Sequence, residues 1–266
     1  MQSPPVTLLF DLGNTRLKLA VWRAGDADVV AIDAHAHADV GQLLDWLNRT
    51  LDAIEGEPVN AYGVSVAGQN VMQTIESLLT SRNPALDVRW VWPQTHSHGV
   101  VNAYPNPSQL GADRWAAMLG LMQRFGNNQQ SIVLANFGTA TTVDTLSRDR
   151  HFLGGLIFPG VSMMQTSLSR GTARLPLAQG EVNDYPTNTH AAITTGIVAA
   201  QLGAIRRQME LSTHRDGAPP IMCVSGGAWS LLKQEWLRMF PGVHVQETPH
   251  VVLEGLLLMA RTAPEA

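Results

Sequence analysis

Asp11 opens the densest group of reactive side chains in the chain. It is followed by Gly13, Asn14, Thr15, Arg16 and Lys18, which gather an amide, a hydroxyl and a lysine around one turn. The run Leu8–Phe10 before it is apolar and suits a buried strand. The exit from Arg16 to Val21 alternates polar and apolar residues at first, so the stretch predicts a β-hairpin with a tight glycine-containing turn. An acid at the end of a buried strand is costly unless it has a partner. Such a turn can aim backbone N–H groups at a phosphate while Asp11 faces a metal ion. The same residues also make a plain hairpin with a surface Asx turn. A second candidate is Asp113, in Gly111-Ala112-Asp113-Arg114 at the expected start of a helix. A carboxylate is electrostatically favoured there, and position alone makes it a helix-start residue.

The hairpin plan recurs. Ser131 to Asp144 runs strand, Asn136, one apolar residue, Gly138, hydroxyl residues, strand. Asn136 falls where Asp11 falls, Gly138 where Gly13 falls, and Thr139 where Asn14 falls. Two phosphate-gripping hairpins in one chain imply a duplicated domain. The arrangement resembles the actin, sugar-kinase and heat-shock-ATPase superfamily. That resemblance implies an α/β chain of duplicated ribonuclease-H-like domains with nucleotide in the interdomain cleft.

Composition bounds the alternatives. The chain has 266 residues, 45% hydrophobic, enough for one large domain or two ordinary ones. A net charge of −4 gives no basic footprint for nucleic acid, so an anionic substrate needs local cations. The single cysteine, Cys223, excludes an internal disulfide and a multi-cysteine zinc site, and its apolar surroundings predict a core thiol. The first residues lack a basic region and Asp11 breaks their apolar run, which does not read as a signal peptide. No apolar run reaches membrane-spanning length. These features fit a cytoplasmic enzyme or ATP-binding protein. No Gly-x-x-x-x-Gly-Lys-Ser/Thr loop, no Gly-x-Gly-x-x-Gly after a strand and no Gly-x-Ser-x-Gly turn is present, so any nucleotide is held by the hairpins.

The elements that must position these residues follow from periodicity. Strands are expected at 29–32, 59–67 and 88–91, with helices at 40–51 and 71–79. His35 and His37, after the third strand, read as surface residues, because a metal site needs three or four ligands and the rest of the set is missing. Residues 95–111 read as a long loop, and long loops in compact domains are often functional. A helix from Gly111 carries Trp115, Met118, Leu119, Met122 and Phe125 on its apolar face. The polar run 126–130 marks the domain boundary, giving domains 1–125 and 126–266. Beyond the second hairpin come a strand at 152–158, a helix to about residue 170 and a loop to Pro186. The long helix 190–209 is rich in small residues that let another helix approach, within the domain or across a dimer. Strands at 221–224 and 243–246 and a closing helix at 251–261 complete the second domain. Gly226-Gly227, between strand and helix, can admit an adenine ring or serve as a plain tight turn.

Four stretches together resemble the type III pantothenate kinases. They are Asp11–Thr15 with Lys18; Asn102-Ala103-Tyr104 with Leu110–Trp115; Gly138–Asp144; and Gly154–Gly160 running on to Thr172–Pro176. Asn188-Thr189 fits the same pattern, and motif order matches over nearly the whole chain. The resemblance implies ATP-dependent phosphorylation of pantothenate, the first step towards coenzyme A, by a homodimer without nucleic-acid or membrane partners. It places ATP on Asp11, Leu12, Gly13, Asn14, Thr15, Arg16, Lys18 and Thr139, with Asp11 facing Mg²⁺ directly or through water. It makes Asp113 the general base. Tyr104, Gly111, Ala112, Arg114 and Thr189 join Asp113 around pantothenate, where Arg114 neutralises a carboxylate or the moving phosphoryl charge. Phosphoryl transfer needs mainly in-line positioning and charge neutralisation, which one base and two phosphate grips can supply. One position departs from the family. Asn136 stands where an Asp usually helps hold K⁺ or NH₄⁺, which weakens that cation site. Two other readings compete: a non-catalytic nucleotide-binding accessory or regulatory factor on this fold, and a metal-dependent hydrolase built on His35 and His37.

Overall fold

Two sheets, of five and seven strands, share a five-strand order. The computed structural model describes residues 5–262 except residue 57. It divides into two compact units, residues 1–126 with 250–266, and residues 127–249.

In the first unit, β1 (Val6–Leu12) pairs antiparallel with β2 (Arg16–Arg23), which pairs antiparallel with β3 (Val30–Ala36). After helix α1 (Val40–Asp52), β4 (Pro58–Ser65) lies parallel to β1. After α2 (Gln69–Arg82), β5 (Asp87–Trp90) lies parallel to β4. The sheet order is β3-β2-β1-β4-β5. Alternation along β1 and β2 sends Phe10, Leu12, Leu17 and Leu19 into one core, together with Leu43, Leu47, Ile75 and Leu79 from the two helices. The helices cover that face because Leu43 and Leu47, like Ile75 and Leu79, recur one turn apart. Asp39 caps α1 by accepting the Gln42 N–H at 3.1 Å.

The expected long loop at 95–111 is partly structured. It holds a short hairpin, β6 (His96–Ser97) with β7 (Val100–Asn102), turned by His98 and Gly99 at φ of 49° and 79°. A single 3₁₀ turn, Pro107–Gln109, precedes α3 (Ala112–Phe125).

The second unit repeats the plan. Strands β8 (Ile132–Phe137), β9 (Ala140–Leu146) and β10 (His151–Pro159) pair antiparallel in succession. Helices α4 (Val161–Gly171) and α5 (Thr189–Asp216) precede β11 (Ile221–Ser225), which lies parallel to β8. Helix α6 (Trp229–Met239) leads to β12 (Val245–Glu247), parallel to β11. The order β10-β9-β8-β11-β12 is thus that of the first unit, the ribonuclease-H-like arrangement twice over. Helix α5 is longer than its apolar pattern alone marks out. Asn188 caps its start and Gly217, at φ 71°, ends it. Cys223 is buried in β11.

The closing helix, α7 (Val251–Thr262), does not finish the second unit as the sequence placed it. It belongs to the first unit and packs on α3. The reason is a pair of glycines. A Cβ on Gly120 would fall 2.0 Å from the Val251 carbonyl oxygen, and one on Gly255 would fall 1.9 Å from that of Ala116. Only backbone without side chains permits an approach this close. No described helix is long and apolar enough to cross a membrane.

Candidate active site

Asp11 and Lys18 face one another across β1 and β2, and Lys18 Nζ donates to Asp11 Oδ2 at 2.9 Å. The Asp11 side chain is 8% exposed and that of Lys18 38%. The partner required by a carboxylate at the end of a buried strand is therefore the lysine at its own register position. Both lie on the sheet face opposite the core, since Phe10, Leu12, Leu17 and Leu19 take the core face. The loop between the strands leaves Asn14, Thr15 and Arg16 exposed. Gly13 closes the loop by donating its N–H to the Arg16 carbonyl at 3.0 Å. Its φ is not positive, and an added Cβ would meet only that carbonyl oxygen, at 3.4 Å. Glycine is not demanded here by backbone strain; it leaves the face of the loop open. The set fits a magnesium-nucleotide: a hard carboxylate for a metal-bound water, a cation and open backbone donors for phosphate. Burial, then the positive charges of Lys18 and Arg124, push His250 below the usual histidine range.

In the second hairpin, Asn136 pairs with Thr142 across β8 and β9, and Phe137 and Val143 take the core face. Asn136 thus occupies the face that Asp11 occupies in the first unit. Gly138 donates to the Ala140 carbonyl at 3.2 Å, and Thr139 is exposed at the tip. Two further glycines hold this tip. A Cβ on Gly160, which caps α4, would fall 2.3 Å from the Gly138 oxygen and 2.6 Å from the Thr139 oxygen. One on Gly226, at φ 93°, would fall 2.4 Å from the Phe137 oxygen. Gly226 is therefore required by close packing on the hairpin and by its own backbone conformation. Gln201 ties the strands behind the tip. It is fully buried, accepts Thr141 Oγ1 at 2.6 Å and donates to the Pro159 carbonyl at 2.9 Å. Sequence reading missed Gln201, although a lone polar residue within the apolar run Ile197, Val198, Leu202, Ile205 was a visible signal.

Helix α3 begins without a side-chain cap from Gly111. Asp113 Oδ1 folds back to accept the Arg114 N–H at 2.7 Å. A side chain on Gly111 would displace it, because a Cβ there would lie 2.8 Å from that oxygen. Ala112 and Arg114 are buried, and Arg114 Nη1 donates to the Tyr104 hydroxyl at 3.2 Å. A buried guanidinium beside a phenol is suited to a carboxylate or phosphoryl oxygen. A Cβ on Gly111 would touch Val66 at 3.8 Å, and the Val66 N–H binds the Leu12 carbonyl at 3.0 Å. The start of α3 and the first hairpin therefore share the carboxyl edge of one sheet.

Thr189 lies in the second unit and the Tyr104–Arg114 group in the first. It opens α5 and lines a groove of about 830 Å³ with Asn188, Met164, Leu168 and Ile193. His35 and His37 part company. His35 belongs to β3, not to a surface segment after it, and stacks on Trp46 with ring centroids 5.3 Å apart. His37 turns to the first hairpin, its Nε2 2.7 Å from the Gly13 oxygen. It is half-buried rather than a surface residue, and the sequence marked it only as one of a His-x-His pair. The pairing of β3 with β2 is what brings it there.

The doubled sheet and its two hairpins define the actin, sugar-kinase and ATPase fold. Solved structures agree. A Campylobacter jejuni protein described as a conserved Baf family transcriptional activator superposes with a TM-score of 0.58 at 16% identity, covering 96% of this chain and 97% of that one. A Sinorhizobium meliloti protein described as a 2-dehydro-3-deoxygalactonokinase gives 0.55 at 17% identity and 98% of each chain. At such identities the likeness shows the fold alone. The chain belongs to the type III pantothenate kinase family, whose family model matches residues 7–211. A type III pantothenate kinase from Bordetella bronchiseptica is 43% identical, over 97% of this chain and 99% of that protein. One from Azoarcus sp. is 36% identical, over 95% and 90%.

Proposed function

We infer that this protein transfers the γ-phosphoryl group of ATP to the primary hydroxyl of pantothenate, giving 4′-phosphopantothenate, the first step of coenzyme A synthesis. Family membership carries this reading, and the arrangement at the start of α3 supports it. Asp113 acts as general base. Its carboxylate takes the hydroxyl proton as that oxygen attacks the γ-phosphorus, and the bond to the ADP oxygen breaks in line. Arg114, steadied by Tyr104, receives the pantothenate carboxylate or the charge on the moving phosphoryl group. Gly111 and Ala112 shape the same corner, and Thr189 is read as contributing a hydroxyl to the substrate. Asp11 to Lys18 and Thr139 hold the nucleotide phosphates. Mg²⁺, when bound, neutralises phosphate charge, with Asp11 directing it through a carboxylate oxygen or a water. Asn136 offers a monovalent cation an amide oxygen without a charge.

The enzyme is also read as a cytoplasmic homodimer. Ala192, Gly196, Ala199, Ala200 and Gly203 form an exposed small-residue side of α5, where a second helix can come close. Light scattering at micromolar concentration is expected to give twice the chain mass, and a monomer mass overturns it. The reaction is tested by ADP release with and without pantothenate. Release that requires pantothenate supports the reading. Release indifferent to pantothenate, or none, overturns it.

A further inference from the structure

The first hairpin loop is exposed, so something must fix which way its peptide groups point. Two of its contacts come from the chain just beyond β3. The His37 backbone N–H binds the Thr15 carbonyl at 3.2 Å, and the His37 ring places Nε2 2.7 Å from the Gly13 carbonyl oxygen. A carbonyl oxygen can only accept, so Nε2 carries the hydrogen. Arg16 Nη2 adds a third tie, to the Ala34 carbonyl at 2.9 Å.

We propose that His37 is a positioning residue for the nucleotide: by holding the Gly13 and Thr15 carbonyls it aims the loop's N–H groups at phosphate. The reason lies in peptide geometry. The described peptide bonds are trans, and across a trans peptide the C=O and the next N–H point in opposite directions. Drawing the Gly13 carbonyl towards His37 therefore turns the Asn14 N–H away from β3. Drawing the Thr15 carbonyl the same way turns the Arg16 N–H away as well. One residue so orients two donors of the loop that carries Asn14, Thr15 and Arg16, beside the Asp11–Lys18 pair. Without the ring, water can satisfy the exposed Gly13 carbonyl, so the fold survives while the loop samples other orientations. His37 acts through the loop and needs no contact with the reacting atoms.

This inference rests on the kinase reading, and the experiment separates the two. The parent protein, His37→Ala and His37→Gln are compared by steady-state ADP release and by calorimetry with Mg·ATP alone. A parent that shows no pantothenate-dependent turnover but binds Mg·ATP removes the kinase reading, and calorimetry still tests His37. The expected result for His37→Ala is a KM and Kd for ATP about 5- to 10-fold higher, the scale of one hydrogen bond. The KM for pantothenate stays within about twofold on the same scale. The Gln side-chain amide can donate in place of Nε2, so His37→Gln recovers most of the loss. Unchanged ATP constants overturn the proposal. So does an equal rise for both substrates, or a Gln variant no better than Ala. If His37→Ala fails to fold, the Gln variant against the parent decides alone: ATP constants close to the parent's support the proposal, and a loss shared with pantothenate overturns it.

Discussion

The two hairpins share strand order, register and face, yet they are held by different physics. In the first, a buried carboxylate faces a lysine, and the loop beyond it is open and braced by His37. In the second, the matching position is the neutral Asn136, and the tip is enclosed by Gly160 and Gly226 at separations where no Cβ fits. Gln201, fully buried, fastens the strands behind it. Duplication conserved the path of the chain but left the means of holding it to diverge. The first hairpin is arranged to manage charge, and the second to keep its shape by close packing. That division is in keeping with the metal-facing role proposed for the first and the phosphate grip proposed for the second.

Asp113 belongs to neither hairpin and sets the scale against which they are measured. Asp113→Asn is expected to fold like the parent and lower kcat by about 10²–10⁴-fold, the usual cost of removing a general base. Turnover within a few-fold of the parent would mean the base is elsewhere. Asp11→Ala comes next. It removes a charge whose attraction for a cation at ligand distance is about 4 kcal/mol at an effective dielectric of 20, before desolvation is subtracted. After that subtraction we expect Mg·ATP binding weaker by about 10²-fold, with pantothenate binding little changed. Calorimetry showing equal damage to both ligands would break the assignment of charge to the first hairpin.

The two hairpins and the start of α3 were legible in the sequence because hairpins and helix starts are local. Asp11 and Asn136 could be aligned by counting from the glycines, and Asp113 by the glycine before its helix. What stayed hidden depends on distant strand pairing or on three-dimensional crowding. His37 reaches Gly13 only because β3 pairs with β2 in one register. The α3–α7 contact rests on Gly120 and Gly255, far apart in the chain and each ordinary in its own helix. The closing helix was therefore assigned to the unit that precedes it in sequence. The repeated hairpin, by contrast, was legible in the sequence, since each copy supplies neighbouring strands, β1 with β2 and β8 with β9.

The packing half of the comparison can be broken with two alanines. Gly160→Ala places a methyl group into the Gly138 and Thr139 carbonyls, and overpacking of that kind costs about 1–3 kcal/mol. Gly13→Ala has room and an ordinary φ, so its stability should stay within about 1 kcal/mol of the parent. Chemical denaturation checks both. Equal losses would mean that the two tips are held alike.

Asn136→Asp gives the smallest expected effect and sharpens the comparison most, because it makes the second hairpin resemble the first. An amide oxygen can ligate K⁺ or NH₄⁺ but brings no charge to balance it. The parent should therefore need more K⁺ than a carboxylate site would, or depend on it little. Asp144 bears on the outcome. It pairs with Leu134, one step along the same face from the Asn136–Thr142 pair, and is 1% exposed. Diagonal neighbours across two strands lie about 7–8 Å apart, close enough for the charge to be felt. If Asp144 supplies that charge, a second carboxylate at position 136 adds repulsion, and the K⁺ response should hardly tighten. If it does not, Asn136→Asp should lower the half-saturating K⁺ concentration several-fold, about the effect of 1 kcal/mol. Turnover measured against K⁺ in a Li⁺ background distinguishes them. A parent requirement that is steep and saturates at low millimolar K⁺ would show that the charge missing from Asn136 is immaterial, and that the second hairpin handles its cation without the device the first one uses.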